Sequence, residues 1–188
     1  MNSGPLNPAY RRVSVEEFLQ MDFGGAKAEL EDGLIFMMAD GNEAHARIAA
    51  NLIAALRVRL RGSGCRPYGS DFATRTGSAS IRFPDVSVYC SPLAPGDETK
   101  QLLGDPQVVI EVLPPSTASH DQITKVAEYR ALVGIREIVF VDAARERIRV
   151  VTRTGADNWS DEWLAGDADL ALSSLGITIA PAEIFARD

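Results

Sequence analysis

The chain has two cysteines in 188 residues, no surplus of positive charge and no long uninterrupted apolar run. Cys65 and Cys90 have no CxxC relation and no metal-ligand spacing, so they read as inert thiols rather than as a disulfide or a zinc site. No apolar stretch approaches the roughly 18 residues that a membrane span needs, which excludes a spanning helix. Met1 to Tyr10 lacks the basic-then-apolar order of a signal peptide, and the expectation is a cytoplasmic protein with no membrane association. The formal net charge of -7 excludes a protein that coats nucleic acid indiscriminately. That excess is uneven: residues 1–90 carry ten basic and ten acidic side chains, whereas residues 91–188 carry nine against sixteen. An acidic surface is expected around Asp157, Asp161, Glu162, Asp167 and Asp169.

What is present is ordinary for a globular protein, with 46% apolar and 24% charged residues. A chain of this length buries about 70% of its unfolded surface in one domain. With no internal repeat or low-complexity linker, residues 1–188 read as a single domain, of which 1–10 form a flexible N-terminal segment.

Ser14 and Glu17 make a capping box ahead of a short helix carrying Phe18 and Leu19, closed by Gly24 and Gly25. Alternation over Glu29–Met38, with Asp32-Gly33 between, predicts a hairpin with Leu30, Leu34 and Phe36 on one face. Asn42 caps a helix to about Arg61 whose apolar face is Ile48, Leu52, Ile53, Leu56 and Leu60. Strand-like runs follow at Asp71–Arg75, Ser80–Phe83 and Asp85–Cys90. Val108–Leu113 reads as a strand buried on both faces, with a charged Glu111 in its middle that costs several kcal/mol if unpaired. After Pro114-Pro115 comes a helix from about Ser119 or Asp121 to Leu132. A strand at Ile138–Val141 then completes a strand, helix, strand crossover. A partner strand at Ile148–Thr152, weak strands and a terminal helix at Pro181–Phe185 finish the chain.

Three residues carry the chemistry. Pro84 fixes the entry to a strand and places Asp85 at its start, although taken alone Asp85 reads first as a turn aspartate. Glu111 belongs to a neighbouring strand, and the two carboxylates can reach one end of a sheet. At ~5 Å apart they would repel by ~3 kcal/mol at an effective dielectric of 20, so a proton, a basic group or a cation must compensate them. Oxygen-only ligands favour Mg²⁺ or Mn²⁺. A salt bridge from Glu111 to an arginine is the plainer alternative. Lys125 lies on the following helix with Asp121 and Tyr129 four residues away on either side. Alone it reads as a solvated lysine whose replacement by Ala would leave the fold intact.

The segments AELEDGLIFMMAD, GNEAHARIAANL, FPDVSVYC, VVIEVLPPST and DQITKVAEYRALVGIREIVFVD, with the ending GITIAPAEIF, together resemble the Uma-two family of the PD-(D/E)XK nuclease superfamily. The resemblance implies an α/β restriction-endonuclease-like fold, a central mixed sheet flanked by helices. It also implies a metal-dependent endonuclease acting on DNA. Position 113 is Leu rather than the lysine of an ordinary (D/E)XK motif, and the family's helix lysine becomes Lys125. By the resemblance, Asp85, Glu111 and the backbone carbonyl of Val112 hold Mg²⁺ or Mn²⁺, and Lys125 orients the attacking water or stabilises the added charge. Glu29, the further catalytic residue, completes the metal shell or holds a metal-bound water, and His45 is a supporting metal-site residue or a structural histidine. DNA is the expected partner, a homodimer is left open, and the alternative is a nuclease scaffold without useful catalysis in a DNA-associated or regulatory role.

Overall fold

The computed structural model describes residues 11–38, 41–113 and 120–187, without the side chains of residues 120 and 121. The flexible segment expected at 1–10, the Pro114-Pro115 break and a helix start at Ser119 lie outside the described residues. In chain order the elements are α1 (Val15–Phe18), β1 (Ala28–Glu31), β2 (Leu34–Met37), α2 (Glu43–Arg59), β3 (Arg66–Gly69), β4 (Thr74–Gly77), β5 (Ser80–Arg82) and β6 (Val86–Tyr89). Then follow β7 (Val108–Leu113), α3 (His120–Ala131), β8 (Glu137–Asp142), β9 (Arg147–Arg153), β10 (Trp159–Trp163), β11 (Leu170–Leu172), β12 (Ile177–Ile179) and α4 (Pro181–Ile184).

Asp32 and Gly33 both adopt positive φ, 47° and 80°, which matches the twist a two-residue hairpin needs. The register pairs Leu30 with Ile35 and Glu31 with Leu34. Leu30 is therefore buried on one face, whereas Leu34 and the exposed Phe36 share the other with Glu29 and Glu31. The expected common face of Leu30, Leu34 and Phe36 fails because a two-residue turn sets odd-numbered positions opposite even-numbered ones. The hairpin belongs to a small sheet of order β2-β1-β5-β4. One side of it packs Leu30 and Ile81 against Val13, Val15 and Phe18, and its other side turns Glu29, Glu31 and Arg82 toward the rest of the molecule.

The helix α1 is capped by the Ser14 side chain on the Glu17 backbone N–H, as expected, but it ends at Leu19, well before Gly24. Asn42 likewise caps α2 through the His45 N–H. Ile48, Leu52, Leu56 and Leu60 cover one face of the larger sheet, together with α4, β11 and β12. That sheet has the order β10-β9-β8-β7-β6-β3. Only β7 and β8 run parallel, and α3 is the helix between them; the other pairs are antiparallel. On the opposite face α3 buries Val126 and Tyr129, and Leu132 just beyond its end, against Val109, Ile138, Phe140 and Val151. A mixed central sheet is thus covered by helices on both faces.

β3 has no counterpart among the expected strands. Its sequence, RPYG, carries two residues that weaken strands, and it persists because it is an edge, where a missing proline N–H is tolerated. Its register, Arg66 opposite Tyr89, brings Cys65 and Cys90 face to face with Cα atoms 3.9 Å apart. The two cysteines form a disulfide, which corrects the reading of them as inert thiols. Their separation of 25 residues hid a pairing that the sheet register creates.

Candidate active site

Antiparallel pairing of β6 with β7 sets Val86 opposite Ile110, so Asp85 stands beside Glu111 at the end of the sheet. One Asp85 oxygen accepts the Val112 N–H at 2.7 Å. The other lies 3.0 Å from His45 Nε2, delivered by the first turn of α2. The hydrogen bond that His45 donates to Asp85 raises the His45 pKa above its ordinary value, partly offset by burial.

Glu111 is engaged from α3. Tyr129 donates its hydroxyl to Glu111 Oε1 at 2.6 Å, and Lys125, one turn earlier, sets its ammonium 3.3 Å from the same oxygen. Helical spacing of four residues is what brings both groups onto one carboxylate. Lys125 is also 3.3 Å from Glu29 Oε1, so it bridges β1 and β7. Burial pushes the Glu111 pKa up, Lys125 opposes this, and the charges of Asp85 and Glu29 add to the rise, to about 7. Burial and the negative charges of Glu111 and Glu29 push the Tyr129 hydroxyl well above its usual range, so it remains a donor.

A second layer lies beneath Glu29. Arg82, 2% exposed, donates to Glu29 at 3.0 Å, to Glu31 at 2.8 Å, and through two nitrogens to Glu128 at 2.7 Å. Thr76 also donates to Glu128, at 2.7 Å. Burial alone would lower the Arg82 pKa, but its bonds to Glu128 and Glu31 and the charge of Glu29 hold it above its ordinary value. The sequence reading missed Arg82, Glu128 and the role of Tyr129. The available signals were an arginine three residues before Asp85, and Glu128 and Tyr129 about one turn beyond Lys125 on α3.

Asp85, Glu29, Glu111, Lys125 and His45 are thus brought together, and Lys125 is buried rather than solvated. The salt bridge from Glu111 to an arginine is replaced by one to Lys125. Among the described residues, four carboxylates (Glu29, Glu31, Glu111 and Glu128) contact two cations, Arg82 and Lys125, while Asp85, beside Glu111, contacts His45. The carboxylate oxygens of Asp85 and Glu111 are of the donor type that a hard divalent cation takes. Among the described residues, no three His, Cys, Asp or Glu side chains are grouped so that they could hold an ion by themselves. His45 instead rests on Asp85.

The mixed sheet with helices on both faces is a restriction-endonuclease-like architecture. A solved structure with this fold is that of a "putative nuclease belonging to DUF820" from Anabaena variabilis, at a TM-score of 0.76 and 19% identity, covering 93% of this chain and 98% of that one. The family described as "Putative restriction endonuclease", Uma2, matches residues 15–180, and the chain belongs to that family. Two relatives from Synechocystis sp., both described as uncharacterized, are slr1290 and sll1609. The first is 27% identical over 91% of this chain and 90% of its own length, and the second 25% identical over 88% and 95%. No helix among the described residues is long and apolar enough to cross a membrane.

Proposed function

We propose that the protein is a metal-dependent endonuclease that hydrolyses phosphodiester bonds in DNA. The observation that carries this reading is the buried ammonium of Lys125 held 3.3 Å from both Glu29 and Glu111, beside Asp85, in a cluster with more carboxylates than cations. A purely structural core gains little from buried ion pairs over apolar packing, whereas phosphoryl transfer uses acids and a fixed cation at one point.

Asp85 and Glu111, with the carbonyl of Val112, would hold Mg²⁺ or Mn²⁺. When bound, the ion supplies Lewis-acid polarisation of the phosphate and lowers the pKa of water. The Val112 N–H and His45 fix the rotamer of Asp85, and Tyr129 fixes that of Glu111, so both acids keep their orientation without substrate. Lys125 directs positive charge to the place where the pentacovalent phosphate gains negative charge. Glu29 holds Lys125 from the opposite side and can accept a hydrogen bond from the attacking water. His45 acts through Asp85 in this reading rather than as a ligand of its own.

The test is incubation of supercoiled, linear, single-stranded and branched DNA, and of RNA, with Mg²⁺ or Mn²⁺ and with chelator, using Asp85→Ala as control. Cleavage of DNA that needs the ion and is lost in the variant supports the proposal. Cleavage of RNA alone reassigns the substrate. Failure of wild type on every substrate under both ions favours the alternative, a nuclease scaffold in a DNA-associated or regulatory role.

A further inference from the structure

We propose that Arg82 is a positioning residue that sets where Lys125 sits in the candidate site, an inference that rests on the nuclease reading for its kinetic consequence. Arg82 uses its fork to grip three carboxylates from two elements: Glu29 and Glu31 of β1, and Glu128 of α3. Glu128 is three residues beyond Lys125 on the same helix, so the two Arg82–Glu128 bonds fix the axial place of that turn of α3 against the small sheet. Glu29 is divided between two cations, with Oε2 on Arg82 and Oε1 near Lys125 and the Phe83 N–H. Arg82 therefore holds Lys125 twice, once through its helix and once through its counter-ion.

This division decides what Lys125 can do. While Arg82 occupies one Glu29 oxygen, Lys125 is shared between Glu29 and Glu111, and its charge stays at the point between them. Without Arg82, Glu29 is left with a single cation and draws Lys125 away from Glu111. A guanidinium is suited to the task because its planar donors meet several carboxylates at fixed angles, which an ammonium cannot imitate. Charge compensation alone would need only a cation at this position, so replacement by lysine separates the two roles.

Lys27, Lys100 and Lys125 are the three lysines of the chain, so [¹⁵N]lysine labelling gives three ammonium signals, assigned by single Lys→Arg changes. Wild type, Arg82→Lys, Arg82→Gln and Glu128→Gln are compared for the Lys125 signal, for cooperative melting and for Mn²⁺ affinity. Single-turnover cleavage is measured on the same samples. The expected result is that Arg82→Lys melts cooperatively and leaves the Lys27 and Lys100 signals in place but shifts that of Lys125. Its cleavage rate falls by about tenfold or more, while Mn²⁺ affinity changes by less than about threefold, the pattern of a misplaced reacting group. Glu128→Gln gives a smaller shift in the same direction and serves if Arg82→Gln does not fold. An unmoved Lys125 signal in folded Arg82→Lys and Glu128→Gln overturns the proposal, as does a shift with a wild-type cleavage rate. If wild type cleaves no substrate, the nuclease reading fails, and the ammonium signal alone decides whether Arg82 places Lys125.

Discussion

Lys125 has two buried acids as neighbours, and removing it leaves both without their shared cation. Lys125→Ala is therefore expected to lower the stability of the metal-free protein by about 3–5 kcal/mol, the cost of breaking a buried ion pair. This reverses the expectation for a polar-face lysine and is checked by urea unfolding. Glu111 has a folded pKa of about 7 against an ordinary value of 4.5, so between these values the native state holds a proton that the unfolded chain has released. An acid raised in this way favours folding at low pH and loses that contribution as pH rises through about 7. His45, also raised, stabilises most fully below its unfolded value of 6.5 and loses its contribution as pH rises, so the two act in the same direction. Metal-free wild type should thus lose stability relative to Glu111→Gln between pH 5 and 8, measured by melts across that range. Parallel curves for the two proteins would refute the assignment. The stabilisation by Mn²⁺ should grow over the same interval, because the ion competes with the Glu111 proton.

At the scale of elements, β3 and β6 are joined twice, by their ladder and by the Cys65–Cys90 disulfide. Closing a loop of this length restricts the unfolded chain by roughly 3 kcal/mol in the chain-entropy model, so Cys65→Ser with Cys90→Ser should lower the melting temperature without altering metal binding. Calorimetry of the oxidised and doubly substituted proteins checks this, and equal melting points would show that the edge pairing suffices. α2 and β7 were legible from the sequence because each has a long, one-pattern apolar stretch with a cap or turn at its end. β3 was not, since a proline and a glycine in four residues give no strand period, and only the neighbouring β6 makes an edge strand of them. Hairpin faces were misjudged for a related reason, as they depend on turn length rather than on the alternation within either strand. The acids at 85 and 111 stood out by sitting where a strand wants apolar side chains or by opening one. Arg82 stood out in neither way: within Ser-Ile-Arg its arginine matches an ordinary exposed strand position, and three carboxylates distant in sequence bury it.

For the whole molecule, the two sheets meet across the acid cluster. The large sheet contributes Asp85 and Glu111, the small one Glu29 and Arg82, and α3 inserts Lys125, Glu128 and Tyr129 between them. The expected acidic surface is present, with Asp157, Glu162, Asp167 and Asp169 exposed beyond β9, although Asp161 pairs with Arg149. That negative region lies on the C-terminal part of the chain and should repel a phosphate backbone, so added salt should weaken DNA binding less steeply than for a strongly basic protein. The most direct measurement is the single-turnover rate of DNA cleavage as a function of Mn²⁺ concentration for wild type, Asp85→Ala and a Lys125→Met variant confirmed to be folded. A saturable Mn²⁺ dependence in wild type, displaced to much higher concentration in Asp85→Ala, and a plateau lowered about a hundredfold without displacement in Lys125→Met, is the expected outcome. A Mn²⁺ curve unchanged by Asp85→Ala, or a Lys125→Met plateau equal to that of wild type, would contradict it.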